Sequence, residues 1–131
     1  LGIEWWIKNP ICGIGIGNPH IINARYMNFD AYLHNNYVEL LCGGGIVGLV
    51  LYYSMHIYII LNLIRYRWID KHDFSICIVW LILMLSMDYG IVSYYDKTSW
   101  FYLMIQFINI QCMKRKAIEC TEIENSVTHF E

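Results

Sequence analysis

The sequence predicts an all-α protein of the multi-pass membrane kind, with three transmembrane helices preceded by an extracytoplasmic loop that carries short helices. Three observations lead there. Of 131 residues, 57% are hydrophobic and only 15% charged, with mean hydropathy +0.38, which is more apolar and less charged than soluble domains usually are. Between Glu39 and Arg65 there is no Asp, Glu, Lys or Arg, and a stretch of that length exceeds the roughly 20 residues that cross a bilayer as helix. The cations cluster where alternating crossings need them, with Arg65, Arg67 and Lys71 after the first apolar run and Lys114, Arg115 and Lys116 after the third. Both clusters are expected in the cytoplasm.

The elements follow in order. Residues 1–37 form the outer loop, in which Pro10, Gly13, Gly15, Gly17 and Pro19 separate an aromatic start from the stretch NARYMNFDAYLHNNY. Trp5, Trp6, Tyr26, Phe29, Tyr32 and Tyr37 suit the headgroup level, where amphipathic rings prefer to lie. The first span is residues 38–64, followed by a cytoplasmic loop at 65–73. The second span, residues 74–95, is interrupted only by Asp88. An outer link at 96–98 leads to a third span at 99–113, short enough to need slight bilayer thinning and snorkelling of Lys97 and Lys114. Residues 114–131 read as a polar cytoplasmic tail with little fold of its own. The chain starts with Leu and shows no cleavable signal pattern before its first motif, so it reads as an internal or C-terminal piece of something longer.

Composition also removes function classes. A net charge of -2 leaves no basic patch for a nucleic acid. The cysteines, Cys12, Cys42, Cys77, Cys112 and Cys120, form no CxxC pair and no zinc-like spacing with histidine. No metal site is predicted, and Cys42, Cys77 and Cys112 are expected as inert thiols in or beside the apolar runs. GIGIGN at positions 13–18 has glycines spaced 1, 3 and 5 rather than the 1, 3 and 6 of a dinucleotide fingerprint, and no βαβ unit surrounds it. Gly44 and Gly48 make a GxxxG that would let another helix approach the first span.

The polar residues at the mouth of that span carry the chemistry. If its helix runs back through NNYVELL, His34, Val38 and Leu41 share one face while Asn35 and Glu39 share another. An imidazole can take a hydroxyl proton near neutral pH, and asparagine can orient a polyol or phosphate. The plain alternative is that polar residues at a membrane surface are ordinary anchors. Asp88 is expected roughly 9 Å inside the outer end of the second span by helical rise, where a carboxylate is costly and marks a functional position, unless it merely sits at the interface beside Lys97. His56, within the first span, is expected to be neutral and to make a helix-to-helix hydrogen bond.

Taken together, WWIKNPICGIGIGN, then YLHNNYVELLCGGGIVGLVLYY, then two further apolar runs resemble the C-terminal part of the O-antigen ligase and O-antigen polymerase superfamily of bacterial membrane proteins. Pro10, Gly13 and Gly15 match its Pro-x-x-Gly-x-Gly, His34 and Asn35 its His-Asn pair, and Glu39, Gly45 and Gly48 the acidic residue and glycines that open the next span. The resemblance covers residues 5–113 and implies a longer protein with more spans.

It also implies an activity, the transfer of a glycan from an undecaprenyl diphosphate carrier to an acceptor hydroxyl outside the cytoplasmic membrane, without metal, cofactor or nucleotide sugar. Ligases use the lipid A core as acceptor and polymerases another lipid-linked unit of O-antigen or capsule. The essential family histidine carries over to His34, and the family's diphosphate-binding arginine would fall upstream of Leu1. Arg25, the outer arginine of this chain, matches no motif position. The expected site is His34 as catalytic residue with Asn35, Arg25, Glu39 and Asp88 binding substrate, and the fragment is expected to be inactive alone. Two other classes compete: a transporter or flippase subunit for lipid-linked glycans, turning on Asp88 and His56, and a non-catalytic membrane scaffold, turning on Gly44 and Gly48.

Overall fold

A computed structural model describes residues 1–28 and 31–128. Phe29, expected among the interfacial aromatics, and residues 129–131 of the expected tail lie outside the described residues. The described elements are helices and no strands: α1 (Gly2–Lys8), α2 (Pro19–Met27), α3 (Asn36–Tyr66), α4 (Lys71–Met87), a 3-10 turn at Ser93–Tyr95, and α5 (Lys97–Thr128).

Helix starts follow local chemistry. Pro19 stands in the first turn of α2, where its missing N–H costs nothing. Asn35 caps α3, its Oδ1 accepting the Val38 amide at 3.1 Å, and Asp70 caps α4 by accepting the amides of His72 and Asp73, both at 3.1 Å. The α3 start corrects one expectation. The helix begins at Asn36 and does not run back through His34, because Asn35 is spent as its cap.

Gly45 breaks α3 in two, with φ 63° and ψ -162°, a backbone region essentially reserved for glycine. The break is a reversal. Residues 36 and 53 of a straight helix would be about 25 Å apart, yet Asn36 Nδ2 donates to the Tyr53 hydroxyl at 3.1 Å and the rings of Tyr37 and Tyr53 stack at 5.1 Å. Residues 36–44 therefore fold back along residues 46–53.

Such a tip strands backbone groups on both arms, and the loop between α1 and α2 satisfies them. The amides of Ile14 and Gly15 donate to the carbonyls of Cys42 and Gly43 at 2.9 and 2.8 Å, while those of Ile46 and Val47 donate to the carbonyls of Pro10 and Ile11 at 2.9 and 3.2 Å. Gly13 is needed for the fit, since a Cβ there would sit 2.5 Å from the Gly43 oxygen. Gly44 is thus faced by the loop, with Ile16 3.8 Å from a Cβ built there, while Gly48 is faced by the folded-back first arm, the Leu40 carbonyl lying 3.9 Å from a Cβ built on it.

Below the tip, α3, α4 and α5 pack around Ile59, Leu63, Cys77, Leu81, Leu103, Ile110 and Met113. Cys42 and Cys77 are buried as expected, whereas Cys112 is exposed. At one end of the bundle Lys116 Nζ donates to Asp70 and Asp73 at 2.7 and 3.0 Å, and Lys114 Nζ donates to the Tyr58 hydroxyl at 2.7 Å. The link between α3 and α4 and the cations of α5 therefore share an end.

Lys116 and the amides of Asp73 and His72 hold the Asp70 carboxyl down to about 2, and Asp70 and Asp73 push the Lys116 ammonium up. A depressed carboxyl contributes stability above its ordinary range and loses it as pH falls from there through about 2. In Lys116→Met the Asp70 carboxyl should titrate back toward 3.8, readable as a carboxyl carbon shift; an unmoved titration would mean that the amides alone hold it.

By length and composition, α3 is the one helix among the described residues long and apolar enough to cross a membrane. Its second arm, residues 46–66, alone rises about 31 Å, the thickness of a hydrocarbon core. Helix α4 ends at Met87 and the chain then turns, so the apolar run 74–95 is not one helix. Helix α5 continues through the segment expected to lack structure, to Thr128.

Candidate functional site

The end of the bundle opposite Lys116 gathers most of the expected site residues. Asn36 organises it: its amide donates to the Asp88 carbonyl at 2.8 Å, its Nδ2 reaches Tyr53, and its Oδ1 accepts the Tyr94 amide at 3.1 Å. Asp88 caps α4 rather than lying inside it. It is 1% exposed, accepts the Tyr53 hydroxyl at 2.6 Å and the Ser93 hydroxyl in a still shorter bond, and Ser93 in turn meets the Tyr52 hydroxyl at 3.0 Å. Lys97 is not its partner. His56 lies between Tyr52 and Tyr53, ring centroids 5.3 and 5.2 Å away, and makes no helix-to-helix hydrogen bond with the described residues.

The second polar group surrounds Glu39, which is fully buried in the first arm of α3. Its Oε2 accepts the Leu33 amide at 2.9 Å. Tyr32 and His34 flank Leu33 and are exposed, so the carboxylate lies one residue layer beneath the surface. His34 holds a left-handed backbone, φ 51°, and its imidazole and that of His20 are within electrostatic reach of Glu39. Non-glycine residues in this region are uncommon and cluster at functional sites.

No known protein family, curated protein or solved structure matches the chain.

Of the expected set, His34, Asn35, Glu39 and Asp88 come together at this end, whereas Arg25 bonds to none of them. Arg25 is exposed in the last turn of α2 and forms no hydrogen bond or ion pair with a described residue. Asn35 is occupied at both ends of its amide, with Oδ1 on the α3 cap and Nδ2 on the Tyr89 carbonyl at 3.2 Å. It fixes the chain beside His34. Sequence reading missed Asn36, Tyr53, Ser93, Tyr94 and His20. The doubled asparagine could have hinted that one caps and the other is buried, but Ser93 and Tyr94 looked like the end of an apolar run.

Proposed function

We propose that the chain is part of a metal-independent membrane glycosyltransferase, moving a glycan from an undecaprenyl diphosphate carrier to an acceptor hydroxyl on the outer face of the bacterial cytoplasmic membrane, as an O-antigen or capsule polymerase or ligase. The supporting observation is the assembly of separated motif pieces: the loop of Pro10, Gly13 and Gly15 is bonded into the Gly45 reversal, and the arm it stabilises carries Asn35 and Glu39 beneath the exposed His34.

Three crossings fit this reading, namely the second arm of α3, α4, and α5 as far as Met113. The two shorter ones rise about 25 Å each, and thinning and snorkelling complete them. Leu51, Leu61, Ile82 and Phe101, each more than half exposed, would then face lipid.

Displacing a diphosphate from an anomeric carbon builds positive charge on the sugar and negative charge on the leaving group, so fixed cations are required near the phosphates. Arg25 is the outer arginine available in this chain, and its planar fork suits phosphate oxygens. The acceptor hydroxyl loses its proton as it attacks, and His34 activates or positions it. His34→Ala, made in the protein as its gene encodes it, should lower glycan transfer by at least about 100-fold with membrane insertion unchanged. Normal polymer length or ligation would refute the role.

One observation favours a second reading, a transporter or flippase subunit for lipid-linked glycans: Asp88 is buried against Tyr53 and Ser93 with His56 nearby, as proton-coupled sites often are. Asp88→Asn would then stop translocation while leaving transfer of externally supplied substrate unaffected.

A further inference from the structure

Glu39 is completely buried, yet its Oε1 has no hydrogen-bond partner among the described residues, and the same holds for His20 Nδ1. A buried carboxylate oxygen left unpaired is costly, and such groups ordinarily find partners. The two groups share one neighbourhood, the His20 imidazole lying within electrostatic reach of Glu39. The His20 ring lies 6.0 Å from that of Tyr32, Tyr32 lies 5.4 Å from Tyr95, and Tyr95 lies 4.1 Å from Tyr94. Tyr94 is in turn held by Asn36 in the same arm as Glu39, and Tyr94 and Tyr95 both feel the Glu39 charge. The Leu33 amide anchors Oε2, so the second oxygen is presented in a fixed direction.

We propose that Glu39 Oε1 and His20 Nδ1 seat the acceptor hydroxyl, and that Glu39 is the base that takes its proton while His34 positions the acceptor at the entrance; this rests on the glycosyl-transfer reading above. A hydroxyl fits because it both donates, to Oε1, and accepts, from the N–H that His20 carries at Nδ1 in one of its neutral tautomers. A phosphate would be repelled by the carboxylate. Tyr32 and Tyr95, both exposed, offer the sugar apolar ring surface beside the seat. In the step, the acceptor O–H bond breaks and its proton passes to Glu39 Oε1. The oxygen bonds the anomeric carbon, and the bond from that carbon to the diphosphate oxygen breaks with its electron pair leaving on the diphosphate.

Glu39→Gln tests this, since the amide oxygen can still accept the Leu33 N–H. The substitution is made in the encoded protein in its own cells, beside a gene deletion and Glu39→Asp, with protein level in the membrane, lipid-linked donor and finished glycan all read. Expected is a loss of transfer of at least about 100-fold in Glu39→Gln at parental protein level, with donor accumulating and part of the rate kept by Glu39→Asp. In isolated membranes the parental rate should fall as pH is lowered, and the residual rate of Glu39→Gln should not. If deletion changes no glycan, the transferase reading falls and this inference with it. If deletion abolishes the glycan while Glu39→Gln makes it at parental length, Glu39 alone is excluded as the base. Loss accompanied by low protein level or an unaltered pH profile would also overturn it, in favour of a structural role.

Discussion

Gly45→Ala should destabilise the chain by several kcal/mol and release the loop between α1 and α2 from the bundle. Two costs add. The backbone at Gly45 lies where a side chain costs about 1–3 kcal/mol, and the new Cβ would overlap the Ile11 carbonyl and stand 2.7 Å from the Cys12 nitrogen. The loop must then withdraw, breaking four backbone hydrogen bonds worth about 0.5–1.5 kcal/mol each. Gly13→Ala attacks the same joint from the loop side and should behave alike. Gly44→Ala provides the contrast: its Cβ would meet Ile16 in ordinary contact at 3.8 Å, so the gain in helix propensity, up to about 1 kcal/mol, should leave stability unchanged or raised. Thermal melting in detergent and limited proteolysis between Pro10 and Gly17 measure both effects. Equal melting of Gly44→Ala and Gly45→Ala would mean that packing of a helix on GxxxG, and not the reversal, explains the glycines.

That contrast marks what sequence patterns can convey. The all-helical class was legible because apolar run length and low charge are local quantities, and the shared end of the two cation clusters was legible because charge sets topology. The Lys116–Asp70 contact places both clusters together. Helix ends were less legible. Hydropathy counts Asp88 to Tyr95 with the run before it, yet these residues leave the helix because Asn36 and Tyr53, brought over by the reversal at Gly45, supply polar partners that no neighbour in sequence could. The reversal itself was hidden among three consecutive glycines, since only φ and ψ distinguish the one that turns from the two that fit. His34 and Glu39 were visible as types, whereas His20 and Tyr94 enter only through contacts across the fold.

Asp88→Ala should be the most damaging single change at the end of the bundle opposite Lys116, costing about 3 kcal/mol or more. The carboxylate accepts from Tyr53 and Ser93 and is buried to 1%. Hydrogen bonds to charged groups contribute about 1.5–3 kcal/mol each, and truncation leaves their donors desolvated without acceptors. Asp88→Asn keeps the shape and one acceptor oxygen, so it should cost less than half as much. Tyr53→Phe removes one donor to Asp88 and also the acceptor of Asn36 Nδ2, and should fall between the two. A double-mutant cycle of Tyr53→Phe with Asp88→Asn, read by unfolding in mixed detergent, isolates their coupling, expected at about 1 kcal/mol or more. Additive losses would show that the two groups hold the end independently. The network would then not join the arms of α3 to the turn after α4, and Asn36, with its bonds to Tyr53, Tyr94 and the Asp88 carbonyl, would have to be the joint by itself.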